Sequence, residues 1–141
     1  MDLSIIVGDT KLKIRVAGLL STPKGFLFEK SDKEYIFTIG GKVMINETSE
    51  EAIKREVMEE IGMQVNSVKL CSIIENLYSK GDEKIHEICF VYKIESVFEG
   101  SVPDGFVEVP LENIDKYEIK PIYIVDILKE QTANFRHFII S

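Results

Sequence analysis

The chain has 141 residues, the length of one ordinary domain with a core of its own. Hydrophobic residues make up 45% and charged residues 29%, which excludes a disordered or fibrous chain. No apolar run approaches the roughly 18 residues of a membrane span. The net charge of −7 argues against the electrostatic grip that basic proteins have on nucleic acid polymers. Met1-Asp2-Leu3-Ser4 lacks the basic start and apolar core of a signal peptide. The expectation is one cytoplasmic domain over residues 1–141, with no membrane and no nucleic acid polymer as partner, as a monomer or homodimer. Two cysteines, Cys71 and Cys89, make no disulfide scaffold, and with two histidines and no Cys-x-x-Cys a zinc site is not expected.

In chain order, residues 11–16 alternate basic and apolar side chains, the period of a half-buried strand. Residues 25–29 and 35–39 read as two short strands around a polar turn at 30–34. Gly40-Gly41 breaks the pattern, and a helix follows over 49–61. Residues 68–74 read as a strand, 76–83 as a loop, and 85–94 as a strand rich in aromatic and β-branched residues. A loop at 99–104, a helix over 121–131 with proline near its start, and a last strand at 135–140 complete the pattern. Short strand-to-strand turns near the start favour a mixed sheet, and the helices make the fold class α/β or α+β.

The acid is concentrated in one stretch. Residues 47–60 hold Glu47, Glu50, Glu51, Glu56, Glu59 and Glu60 against only Lys54 and Arg55. Thr48 with Glu51 three residues on is a capping-box pattern, Glu50 and Glu51 suit the positive end of the helix dipole, and Gly62 suits a left-handed C-cap. Glu56, Glu59 and Glu60 need another reason. They fall on one arc, apart from the apolar stripe of Ile53, Val57 and Ile61, and like charges at these spacings cost about 0.2–0.5 kcal/mol per pair. A divalent cation reverses that sign, because Mg²⁺ takes hard oxygen ligands, usually one or two carboxylates plus substrate phosphates.

Residues 41–63 read Gly41-x5-Glu47-x7-Arg55-Glu56-Val57-x-Glu59-Glu60-x-Gly62-Met63. This resembles the complete box of the Nudix hydrolase family. The resemblance implies a Nudix-type α/β/α sandwich with a mixed central sheet. It also implies a hydrolase that uses Mg²⁺ or Mn²⁺ and water to cut a phosphoanhydride in a nucleoside diphosphate linked to another moiety. On that resemblance Glu56, Glu59, Glu60 and the Gly40 carbonyl hold the metal, Arg55 orients a carboxylate, and Glu47 braces the loop against the helix. Gly41 and Gly62 complete the box structurally. The water is activated by Glu56 or by a carboxylate outside the box. Ile39 stands where many members have proline, which removes no ligand.

Arg15, Lys42, Glu87 and Asp104 are candidates for substrate contacts. Lys11, Lys13 and Arg15 share a strand face and offer cations to phosphates. Glu87 alternates onto the face of Ile85, Cys89 and Val91, and Asp104 and Glu108 lie in a late loop region where the family often finds a further acid. Tyr78, Phe28 and Phe37 are candidates to stack on a base. The proline that marks the ADP-ribose subgroup downstream of the box is absent, as is any tryptophan of the NADH type. Tyr78 falls near, but not at, the tyrosine of diadenosine-polyphosphate members, and elimination leaves a nucleoside triphosphate or similar small nucleotide. The alternative is a nucleotide-binding regulatory module of the same fold without turnover.

Overall fold

A computed structural model describes residues 1–130 and 135–140. In chain order the elements are β1 (Ser4–Val7), β2 (Thr10–Ser21), β3 (Phe26–Lys30), β4 (Tyr35–Phe37), β5 (Ile39–Lys42), α1 (Ser49–Ile61), β6 (Val68–Lys80), β7 (Glu83–Val97), β8 (Phe106–Val109), a 3₁₀ turn (Leu111–Lys116), β9 (Glu118–Lys120), α2 (Ile124–Lys129) and β10 (Arg136–Ile140). The strands form one curled sheet in the order β10-β6-β7-β2-β3-β4-β9, with β1 and β5 also on β2 and β8 on β3. It is mixed: β2 runs parallel to β7, β10 to β6 and β9 to β4, and the other pairs are antiparallel.

The alternation along β2 builds the layers. Val16 and Leu20 face one side and join a core with Leu27, Ile39, Tyr92 and the α1 residues Ala52, Ile53 and Val57. Ala17 and Leu19 face the other and join Phe28, Val91, Val109, Ile114 of the 3₁₀ turn and the α2 residues Ile124 and Leu128. A strand with a period of two buried on both faces needs a cover on each, which gives the α/β/α layering expected of the family.

Helix α1 has the expected bounds, because its signals are local. Thr48 Oγ1 accepts from the Glu51 amide at 3.1 Å, and Gly62 closes the helix at φ 69°. Other expectations are corrected. Residues 76–83 are not a loop, since β6 runs on to Lys80 and turns through Gly81-Asp82 into β7. Its polar residues are strand-forming because β7 supplies the ladder, from Asn76↔Glu87 to Lys80↔Glu83. Nor do Gly40 and Gly41 end the strand pattern: the break falls at Thr38, and both glycines pair with β2 in β5. Helix α2 spans only Ile124–Lys129, and Gln131, placed in that helix by its sequence, lies outside the described residues.

Ile53 is fully buried between α1 and β2. Ile53→Ala should lower unfolding free energy by about 2–5 kcal/mol, read from the urea midpoint.

Candidate active site

The loop between β5 and α1 is tied to the helix by one guanidinium. Arg55 donates to Glu47 twice, from Nε to Oε2 at 2.7 Å and from Nη2 to Oε1 at 3.0 Å. Glu47 Oε1 also accepts the Met44 amide at 2.9 Å, and Arg55 Nη2 donates to the Lys42 carbonyl at 3.1 Å. Arg55 Nη1 then reaches Glu56 Oε1 at 2.9 Å and Glu59 Oε2 at 3.2 Å. Two-point bonding between guanidinium and carboxylate is directional as well as strong. The Arg55 hydrogen bonds hold the Glu47 carboxyl below the usual range, against a smaller upward push from burial.

β5 has no space for side chains at its glycines. A Cβ on Gly40 would lie 2.1 Å from the Val16 carbonyl oxygen, and one on Gly41 would lie 2.5 Å from Glu56 Oε1. The Gly40 collision is with backbone and would push β5 off β2. The Gly41 collision would turn the Glu56 carboxylate away.

Glu60 is the most perturbed acid. Burial raises its carboxyl to about 8, with help from the charges of Glu29 and Glu56, and the Gly40 backbone offsets part of this. Its Oε2 is buried with no hydrogen-bond partner. Glu29, on β3, is raised first by burial and then by Glu56. No candidate role was given to Glu29 from the sequence, and the only local signal was an acid inside the apolar strand Phe26–Lys30. β3 brings it within electrostatic reach of α1.

A cleft of about 510 Å³ opens beside this cluster. Arg15, Glu29, Gly40 and Glu87 line it, as do the rings of Tyr35, Phe37 and Tyr78. Arg15 Nε lies 3.8 Å from Glu87 Oε1. Lys42 contributes its carbonyl to Arg55, and its side chain does not line the cleft. Asp104 sits on an exposed turn before β8, Glu108 pairs with Leu27 within the sheet, and neither lines the cleft; Phe28 is core, 1% exposed.

Among the described residues no three His, Cys, Asp or Glu side chains converge as they stand on one metal-holding point, because Glu56 and Glu59 are drawn onto Arg55. The donor set still fits a hard divalent cation. It consists of carboxylate oxygens, one of them buried and unpartnered, beside a strand stripped of side chains.

Protonation of Glu60 carries a sign for stability. Its folded value near 8 lies above the ordinary carboxylate value of 4.5, so between those pH values the folded state holds the extra proton and stability falls as pH rises. In metal-free buffer Glu60→Gln should therefore raise the melting temperature more at pH 9 than at pH 5, by differential scanning calorimetry; an equal change at both contradicts the assignment.

The family model described as a NUDIX domain matches residues 11–130. A protein of Bacillus subtilis (strain 168), YtkD, provisionally named an 8-oxo-dGTP diphosphatase, is 36% identical over 103 residues, 66% of this chain and 60% of its own length. The chain thus matches less than two thirds of that relative. The MutT protein of Bacillus halodurans superposes with a TM-score of 0.70 at 18% identity, covering 90% of this chain and 89% of that one. The MutT NUDIX hydrolase of Burkholderia pseudomallei gives 0.65 at 19% identity, covering 86% and 98%. These two likenesses show the fold. No helix among the described residues is long and apolar enough to cross a membrane. With the box assembled on one loop and helix and the family model matched over most of its length, the chain belongs to the NUDIX family.

Proposed function

We propose that the chain is a divalent-cation-dependent pyrophosphohydrolase. It cleaves a phosphoanhydride of a nucleoside triphosphate or another small molecule linked to a nucleoside diphosphate. The observation that carries this is the buried, unpartnered Glu60 oxygen, set among acids beside a cleft that Arg15 and Lys13 also line. A buried carboxylate without a partner is costly, and a cation there removes the cost. The substrate class of YtkD, a nucleoside triphosphate by its name, supports the same choice for this chain.

Glu56, Glu59, Glu60 and the Gly40 carbonyl would hold Mg²⁺ or Mn²⁺. When bound, the ion neutralises phosphate charge and lowers the pKa of its water. The rest is done by the chain's own groups. Glu47 fixes Arg55, and Arg55 holds the carboxylates of Glu56 and Glu59, which would turn from it to reach the cation. Arg15 presents a planar guanidinium to phosphate oxygens at the cleft wall. The Glu29 carboxylate makes no ion pair among the described residues, and its raised pKa makes it, with Glu56, a base suited to a water proton. Tyr35, Phe37 and Tyr78 offer ring faces to a nucleobase.

Phosphate and pyrophosphate release should be measured with Mg²⁺ and Mn²⁺ over nucleoside triphosphates, ADP-ribose, dinucleoside polyphosphates and nucleotide sugars. At least one triphosphate should be cleaved; no cleavage of any compound with either metal refutes the proposal. Glu56→Gln should lower turnover by about a hundredfold or more with the fold intact by circular dichroism. Glu29→Gln should lower kcat at least about tenfold and shift the acid limb of its pH profile. Added Mn²⁺ should raise the wild-type melting temperature, and less in Glu60→Gln.

A further inference from the structure

A second cavity, of about 580 Å³, lies on the α2 side of the sheet and shares no lining residue with the cleft beside the acids. Small-molecule pockets occupy about 300–1,000 Å³, so it has the size of a ligand site. Leu19, Phe26, Leu111 and Leu128 give it an apolar wall that continues the core under α2. The register of the sheet adds cations. Leu19 pairs with Lys93 of β7, and Lys93 pairs with Lys69 of β6, so the three side chains share one row and one face. Beside that row β6 carries an extra residue. Leu70 pairs with Tyr92 and Ser72 with Val91, which leaves Cys71 in a bulge on the cavity wall.

Lys69 and Lys93 stand directly opposite each other, and like charges so placed on antiparallel strands cost stability. The ion pairs among the described residues include neither of them. The two acids on the wall are engaged elsewhere. Glu95 Oε1 accepts from Ser67 Oγ at 2.8 Å, and Glu130 Oε2 accepts from Arg136 Nη1 at 2.7 Å. Residues 131–134, Gln-Thr-Ala-Asn, include no charged side chain. Burial pushes the Cys71 thiol up, and the charges of Lys93 and Lys69 both pull it down. The two cations therefore act together at one point of the wall. Both are exposed, which leaves their ammonium groups open to a ligand entering from solvent.

We infer that this cavity is a binding site for an amphipathic organic anion. The apolar body of the ligand lies against Leu19, Phe26, Leu111 and Leu128, and its carboxylate or phosphate group sits between Lys69 and Lys93. The apolar wall offers contact to any small hydrophobic molecule, and the lysine row adds an attraction that only an anion gains. Such a ligand also removes the repulsion between the two lysines, so the protein gains from binding it.

Two fluorescent probes with the same ring system separate charge from apolar contact: 8-anilinonaphthalene-1-sulfonate and its uncharged parent N-phenyl-1-naphthylamine. Titrated into the intact chain in metal-free buffer, the sulfonate should bind with one site per chain and about tenfold tighter than the parent. The preference should shrink as salt is raised, because exposed charges are screened. Octanoate or octyl phosphate should displace the sulfonate better than octanol does, and the stronger of the two identifies the anionic group. Lys69→Gln/Lys93→Gln should lose the preference and keep its affinity for the uncharged probe. Lys13→Gln/Arg15→Gln, which changes the other cleft, should keep the preference. Equal binding of the two probes by the wild type, displacement by octanol as good as by either anion, or loss of the preference in the Lys13→Gln/Arg15→Gln variant overturns the proposal. The wild-type comparison needs no variant to fold.

Discussion

The passage of β5 between β2 and α1 is the constraint on which the candidate site depends. At Gly40 the strand lies against the Val16 carbonyl, and at Gly41 it lies against the Glu56 carboxylate, with no room for a side chain at either point. That closeness brings the acids of a helix to the edge of a sheet, and so to the mouth of a cleft formed by the sheet's other face. Glu47 and Arg55 then hold the intervening loop in register with the helix. Remove the close approach, and the box still has its residues, but they no longer meet Glu29.

The protein's charge is divided in space as well as in sequence. Glu29, Glu56 and Glu60 repel one another at one end of the cleft, and Lys13, farther along β2, is pressed to lose its proton first by burial and then by the charge of Lys11. A metal ion among the acids would relieve their repulsion. Arg55 meanwhile provides partial compensation, binding Glu56 and Glu59 and leaving Glu60 without a partner. The net charge of −7 therefore says little about the sign of a ligand, because the average conceals acids and cations gathered along one cleft.

Local chemistry was legible wherever neighbours in sequence are neighbours in space. The bounds of α1, its Thr48 cap and Gly62 close follow from contacts within four residues, and the structure has them as read. Glu87 was correctly put on the face of Cys89, since a strand's period of two needs no tertiary partner. Residues 76–83 read as loop because their polar character is local, while the ladder that makes 76–80 a strand comes from β7. Asp104, a candidate by its loop, stays on an exposed turn, and Glu29, embedded in an apolar strand, drew no attention.

By itself the sequence determined the family, through a box of fixed residue types at fixed spacing. It also determined the helix that carries most of that box, because capping and side-chain periodicity are short-range. Only the tertiary structure decided that Glu29 joins Glu56 and Glu60, that Lys42 offers a carbonyl rather than its ammonium, and that Arg15 and Lys13 line one wall of a single cleft. Those outcomes depend on which strands pair and in what register. Register is set by burial summed over the whole sheet, a quantity that no short stretch of chain contains.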